Sequence, residues 1–436
     1  MKKIFKFLSM AALLVVGAIM TGCSSDDNID NPQQPSNKDN VVTLTATVSL
    51  DGGDGMRAVD GSTGVKTFES GKQIAVFYED ADGNLQKAVS TDFTPLTDAT
   101  KATFTVTLSN AKSGGQIRYI YPASMAKALD ATPTAYPAAA TIDDVTIDYS
   151  GIFGSQDGTL TKLADYDLAV KDATLSGTDQ PVSVTLTNPL AICKFTFKDT
   201  GSNDITSITR LTVSDGTNAY GISTSGLPEI YVAMKPVASG NIAFTAATAS
   251  KTYFRTITGK SLVASKLYTN ITVGSMVELA KGNVIGYNGN IYASKTAAGS
   301  NAAAVIAYLG SETYDATFKN GLAIALADEA KRSYWSTAIS TCEGKTPTVT
   351  GAKWCLPSQD QWKQMFKANG GNDASCTGLN TTINTAGGTN FQGDGYAYWS
   401  STEDNASDAR CFYTDFGMWG TEYKFSSIRV RACLAF

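Results

Sequence analysis

The chain has 436 residues, a formal net charge of -5 and no histidine. The missing imidazole excludes Ser-His-Asp and Cys-His nucleophile systems, histidine metal sites and imidazole acid-base chemistry in one step. Its 35 basic side chains are scattered among 40 acidic ones and form no basic stripe, so no nucleic-acid partner is expected; nor is an enzymatic activity, a metal or a cofactor.

At the start, Lys2, Lys3 and Lys6 precede an apolar run from Met10 to Met20, the pattern of a secretory signal and too short for a membrane span. Met20-Thr21-Gly22-Cys23 closes that run and resembles the lipobox of bacterial lipoproteins, with Met20 in place of the commoner Leu. The resemblance implies removal of residues 1–22 and a diacylglyceryl lipid, of palmitate-type chains, on Cys23. Residues 23–40 are acidic, Asn, Gln and Pro-rich and almost free of apolar side chains, as expected of a flexible tether with a reach on the order of 20 Å. The acidic start Ser24-Ser25-Asp26-Asp27 looks like the signals that send lipoproteins to the outer face of the outer membrane.

Beyond the tether the reading is mainly β. Val42, Leu44, Ala46, Val48 and Leu50 alternate with Thr43, Thr45, Thr47 and Ser49, a strand with one apolar and one polar face. Further strands are expected over 73–78, 102–108, 117–121, 182–186, 191–197, 229–235 and 268–273, separated by turn clusters such as Asp51-Gly52-Gly53-Asp54-Gly55 and Asp82-Gly83-Asn84. This spacing predicts β-sandwiches, one over 41–145 and a second over 146–278.

Lys72-Gln73-Ile74-Ala75-Val76-Phe77-Tyr78, Asn188-Pro189-Leu190-Ala191-Ile192-Cys193-Lys194-Phe195, Ile230-Tyr231-Val232-Ala233-Met234-Lys235-Pro236 and Tyr268-Thr269-Asn270-Ile271 together resemble the fimbrillin-like (major fimbrial, Mfa-like) pilins of Gram-negative bacteria. The resemblance covers about 40–275 and implies two transthyretin-like β-sandwiches exported as a lipoprotein precursor. It also implies proteolysis after an arginine following the first strand, a place that Arg57 occupies, and assembly into a fimbrium by β-strand donation from neighbouring pilin subunits. Cutting there would remove the tether and the strand 42–50 together and leave unpaired backbone for a donated strand to fill. The alternative is that Arg57 is an ordinary loop arginine in a permanently lipid-anchored surface adhesin.

The last part, 279–436, reads as α+β. Gly286-Tyr287-Asn288-Gly289-Asn290 between Val284-Ile285 and Ile291-Tyr292 predicts a hairpin, and 321–326 a short buried strand. Ser358-Gln359-Asp360-Gln361 has capping-box spacing, with Trp362, Met365 and Phe366 on one helical face; that helix is expected to be structural. At the end, Ile428, Val430, Ala432, Leu434 and Phe436 alternate with Arg429, Arg431, Cys433 and Ala435, which predicts a half-buried strand. Before it, Phe412, Tyr413, Phe416, Met418, Trp419, Tyr423 and Phe425 crowd a glycine-broken segment, a composition suited to an interface.

Trp354-Cys355-Leu356-Pro357-Ser358, Tyr398-Trp399-Ser400-Ser401-Thr402-Glu403 and Arg429-Val430-Arg431 resemble the C-type-lectin-like domains of the major paralogous family, with Cys355 where that family commonly has Arg, a departure that points to a disulfide. Formylglycine-generating enzymes share the fold class, but their paired-cysteine copper motif is not found here, and neither are the Glu-Pro-Asn, Gln-Pro-Asp or Trp-Asn-Asp tripeptides of calcium-dependent lectins. A third branch, the variable proteins of diversity-generating retroelements, implies a fixed scaffold at Ala409, Arg410, Cys411, Gly417, Trp419 and Lys424. Varied positions would then be Asp404, Asn405, Ser407, Tyr413, Asp415, Thr421, Tyr423, Phe425, Ser426 and Ile428. Met418 and Glu422 do not fit adenine mutagenesis of Asn codons, so diversification stays an alternative.

Seven cysteines lack any Cys-x-x-Cys spacing, which argues against a thiolate zinc or thioredoxin-like site. Export favours disulfides, and Cys411 with Cys433, on strands near the end, is the first pairing to expect. The expectation is therefore a tip-type fimbrial adhesin at the cell surface. It would contact neighbouring subunits, the outer membrane through its precursor lipid, and a surface protein or glycan through Tyr413, Asp415, Met418, Trp419, Thr421, Glu422, Tyr423 and Phe425.

Overall fold

The computed structural model describes residues 42–50, 68, 70–97, 101–127, 141–163, 168–175, 183–393 and 397–436, without the side chains of 45–50, 150 and 183. The signal sequence, Cys23, the tether and Arg57 lie outside the described residues. The protein is mainly β: two sandwiches followed by an α+β module.

In the N-terminal sandwich one four-stranded sheet runs in the order 183–186, 42–50, 101–108, 94–95, and the other in the order 85–89, 75–79, 116–121, 169–174. Threonines alternate with Ala102, Phe104, Val106 and Leu108 along the strand Lys101–Leu108, and those four apolar residues are buried. They meet Val76, Tyr78 and Tyr119 from the opposite sheet. Phe93 stacks on Tyr121 with ring centroids 5.2 Å apart.

The middle sandwich is one seven-stranded sheet ordered 219–227, 208–214, 237–247, 252–262, 266–278, 191–199, 230–234, folded back on itself. The fold is visible in its rings: Phe195 of the strand Ala191–Asp199 meets Phe244 of Val237–Ala247 edge to face at 5.0 Å. Such contacts across the two halves bury a shared apolar core.

The boundary expected at 145/146 is corrected, because the chain crosses between the sandwiches more than once. Ile152 and Leu163, on the short helices Ser150–Gly154 and Leu160–Leu163, pack into the middle core. Buried Gln156 mimics a strand residue there: its Oε1 accepts from Ala233 N at 2.8 Å and its Nε2 donates to Ala233 O at 3.0 Å. The chain then returns, and Ala169–Thr174 and Ser183–Leu186 complete the two sheets of the first sandwich. A short segment carrying two apolar residues in each one-turn helix, between glycines and polar side chains, gives no sign in the sequence of which neighbour it will serve.

The C-terminal module is built on a six-stranded sheet ordered 291–292, 284–286, 302–309, 321–325, 433–435, 353–355. The predicted hairpin forms, Val284 pairing with Tyr292, and so does the capping box: Gln361 N donates to Ser358 Oγ at 3.1 Å, and Ser358 N to Gln361 Oε1 at 2.8 Å. Trp362, Met365 and Phe366 of the helix Gln359–Ala368 are buried, as their spacing predicts.

The half-buried final strand is corrected. Regular pairing covers Cys433–Ala435 only, and every residue from Val430 to Phe436 is buried. The alternation is real, but both faces are covered. Val430, Ala432, Leu434 and Phe436 join one core, while Cys433 and Ala435 join another with Trp362 and Phe366. A sheet covered on both faces erases the polar side that a period of two normally marks.

The module and the middle sandwich share a packed junction. Ala243 and Phe254 belong to the same core as Ile285 and Val349, and Asn320 Nδ2 donates to Thr212 Oγ1 at 2.9 Å. Gly351, at φ +87°, lies against Ala243, where a Cβ would come within 2.6 Å.

Candidate ligand-binding surface

The aromatic segment folds into a three-stranded antiparallel sheet of Ala397–Glu403, Asp408–Tyr413 and Met418–Tyr423. Tyr413 pairs with Met418 across a four-residue turn, Thr414 to Gly417, in which Gly417 takes φ +57°. Asp415 and Phe416 therefore sit at an exposed hairpin tip.

Three indole N–H groups moor this sheet to the module, each on a backbone carbonyl. Trp399 donates to Ser333 O at 2.8 Å, Trp335 to Ser400 O at 2.8 Å and Trp362 to Trp399 O at 3.2 Å. The two sequence blocks flanking the segment also meet. Asp328 accepts from Tyr398 Oη at 2.7 Å, from Arg431 Nε at 2.6 Å and from Arg429 Nη1 at 3.3 Å. Arg431 is fully buried, stacks 4.5 Å from the Phe391 ring centroid and donates to Thr389 O at 2.8 Å. Burial, with Asp328 beside it, holds the Tyr398 phenol above its ordinary range.

The residues expected to bind ligand divide into two groups. Trp419 is half-buried, its ring 5.5 Å from Phe412 and its Nε1 donating to Asp373 O at 2.8 Å. Tyr413 Oη donates to Glu422 Oε1 at 2.6 Å across Gly420. A Cβ at Gly420 would lie 2.5 Å from the Tyr413 ring, so glycine is what lets that ring cross the strand. Burial and the Glu422 contact together raise the Tyr413 phenol pKa. Trp419, Tyr413 and Glu422 thus shape the sheet.

Asp415, Met418, Thr421, Tyr423 and Phe425 are exposed instead. Tyr423 lies 5.3 Å from Phe425, which lies 6.0 Å from Tyr334. With Tyr423 52 %, Phe425 65 % and Tyr334 51 % exposed, the three rings form a contiguous apolar surface. Phe416 at 70 % and Met418 at 51 % continue the apolar display at the hairpin tip.

Sequence reasoning missed Tyr334, which caps the helix Trp335–Glu343 and reaches the cluster only through the fold. Phe416 belongs to the same aromatic run in the sequence, and its place at the tip comes from the turn. Among the positions expected to be fixed scaffold, Ala409 and Cys411 are fully buried. Among those expected to vary, Asp404, Asn405, Ser407, Asp415, Thr421, Tyr423 and Phe425 are exposed, and Tyr413, Ser426 and Ile428 are half-buried.

The pairing of Cys411 with Cys433 is corrected. Cys411 faces Trp399 and Gly420 in the three-stranded sheet, whereas Cys433 faces Cys355 in the six-stranded sheet. Burial pushes the Cys411 thiol up to about 12. Among the described residues no group of three or more His, Cys, Asp or Glu is placed to hold a metal.

No family model matches the sequence, and no curated protein does. Solved structures similar to this chain include a fimbrial protein from Bacteroides ovatus, at 13% identity over 92% of this chain and 100% of that one, with a TM-score of 0.30. A fimbrial assembly protein from Parabacteroides distasonis shares 10% identity over 54% and 90%, at 0.30. The C-terminally truncated tip fimbrial protein Mfa3 from Porphyromonas gingivalis shares 9% over 50% and 81%, at 0.24. These scores are low, and the function proposed for the chain rests on its own strand pairing and exposed aromatic cluster.

Proposed function

We propose that this chain is a tip-type fimbrial subunit, exported as a lipoprotein precursor and displayed at the cell surface, with a C-type-lectin-like module as its adhesive end. Proteolysis after Arg57 removes the lipid tether and the strand Val42–Leu50, and a strand from a neighbouring subunit takes the vacated place. The module then presents Tyr334, Tyr423 and Phe425, with Phe416 and Met418, to a protein or glycan on another surface.

The observation that carries this reading is the position of Val42–Leu50. It pairs antiparallel with Lys101–Leu108, from Val42 opposite Leu108 to Ser49 opposite Lys101, and parallel with Ser183–Leu186 on its other side. Both partners come from much later in the chain, so the strand fills a slot that the rest of the sandwich frames. Its loss leaves two rows of unpaired backbone groups and uncovers a floor containing Phe104, Val106, Val184 and Leu186. That is the geometry β-augmentation repairs, with main-chain hydrogen bonds for affinity and inward side chains for register.

Sequencing the N-terminus of protein purified from the cell surface tests the reading. A start at Ala58 supports strand exchange. Acylated Cys23 as the sole N-terminus would sink it and leave a permanently anchored adhesin.

A further inference from the structure

Cys355 ends the strand Lys353–Cys355 and Cys433 begins the strand Cys433–Ala435; the two residues are direct antiparallel partners. Their sulfurs are 3.3 Å apart. Residues opposed in an antiparallel pair already have the backbone separation a disulfide requires, and closing the sulfurs to about 2.0 Å needs only small side-chain rotations. We propose that Cys355 and Cys433 form a disulfide that closes the base of the ligand-binding module.

The surroundings suit such a bond. Both thiols point at Gln361 Oε1, at 3.9 and 4.0 Å, the atom that also caps the helix Gln359–Ala368. Cys433 is fully buried and Cys355 partly exposed, which sets the order of events. The Cys355 thiolate attacks an external disulfide, such as oxidised glutathione or a thiol oxidoreductase of the export compartment, and one thiol of that oxidant leaves. Cys433 then gives up its proton, displaces the second thiol, and closes the protein bond. Two protein thiols are oxidised, one external disulfide is reduced, and the two protons end on the released thiols.

The covalent loop runs from Cys355 to Cys433. It contains the helices Gln359–Ala368 and Thr377–Thr385 and the whole sheet that carries Tyr423 and the hairpin tip. A bond at its base restricts the unfolded chain without touching the exposed rings. The chemistry of the pair does not depend on the export reading, because purified protein can be oxidised directly.

The test uses the full chain, reduced, treated with oxidised glutathione, alkylated and cut with trypsin without further reduction. The expected product is the peptide Trp354 to Lys363 joined to Ala432 to Phe436, two hydrogen atoms lighter than the separate peptides. It is absent from Cys433→Ser. Reduction lowers the melting temperature of the oxidised chain by about 5–10 °C and leaves Cys355→Ser unmoved. Recovery of both peptides fully alkylated, or of Cys433 joined to Cys342 or Cys411, overturns the proposal. Should either serine variant fail to fold, the peptide map of the parent chain decides alone.

Discussion

The strands Val42–Leu50 and Cys433–Ala435 each lie between two partners, one in the N-terminal sandwich and one in the C-terminal module, and they are held by different physics. In the first, Leu44 is buried while Thr43 is exposed, and the sequence continues the same alternation of apolar residues with Thr and Ser to Leu50. In the second, both faces are buried: Leu434 and Phe436 enter one core, Cys433 and Ala435 the other. A strand with one wet face is held by its backbone ladder and half its side chains, so in the proposed assembly an incoming strand with the same alternation would take its place. A strand buried on both faces belongs to two cores at once, and nothing else in the molecule can stand in for it.

Removing the second strand should therefore have the largest effect. Truncation before Ala432 deletes the buried Leu434 and Phe436. Losses of about 2–5 kcal/mol for a buried Leu and about 3–5 for a Phe rival the whole stability of an ordinary domain, about 5–15 kcal/mol. The module should lose its cooperative melting transition in calorimetry and expose Trp362 and Trp399 to a fluorescence quencher. A truncated chain with native fluorescence would show that the double burial is not what holds the module.

Removing the first strand should cost less of the molecule. Chain cleaved after Arg57, stripped of its N-terminal fragment and refolded, should lose the transition of the first sandwich alone. A synthetic peptide with the sequence Val42 to Leu50 should restore that transition, and a version with Leu44 replaced by Asp should not. Equal damage to all three modules would break the comparison, since the interleaving of the sandwiches through Ile152, Gln156 and Leu163 is the route by which damage would spread.

The ion pair beneath the three-stranded sheet comes next. Arg431→Met should cost about 3 kcal/mol in urea denaturation, because it leaves the partly buried Asp328 beside Tyr398 with only Arg429 to balance its charge. Adding Asp328→Leu should recover part of that loss. Gly420→Ala, which forces the Tyr413 ring off its path to Glu422, should cost about 1–2 kcal/mol.

These sites differ in how far the sequence revealed them. The alternation of Val42–Leu50 and the capping box at Ser358 and Gln361 are local signals, each set by a short run of residues, and both elements form where the pattern puts them. The strands Ala169–Thr174 and Ile208–Ser214 are not legible in the sequence, because their threonines, lysine and arginine dilute the apolar period, and the partner of Ala169–Thr174 lies some fifty residues back in the chain. The same reason hid the place of Tyr334 in the aromatic cluster. Cys355 is conspicuous as a departure from a family pattern, yet only the register of two strands separated by the whole three-stranded sheet joins it to Cys433.

The smallest expected effect on stability is also the most telling for function. Tyr423 and Phe425 are more than half exposed, with their rings beside each other and beside Tyr334, so Tyr423→Ala with Phe425→Ala should move the urea midpoint by no more than about 0.5 kcal/mol of equivalent stability. Exposed aromatic anchors are where binding energy concentrates, with about 2 kcal/mol or more for each true anchor. Attachment of the double variant to epithelial monolayers and to a glycan array should therefore fall at least about 30-fold while its fold is unchanged. Trp419→Phe sharpens the contrast from the other side: loss of the hydrogen bond to Asp373 O should lower stability by about 1 kcal/mol and leave attachment nearly intact. If the two variants trade places, with Trp419→Phe abolishing attachment and the exposed pair doing nothing, then the ligand reads the half-buried Trp419 and its surroundings at Phe412 and Asp373, and the exposed rings are ordinary surface.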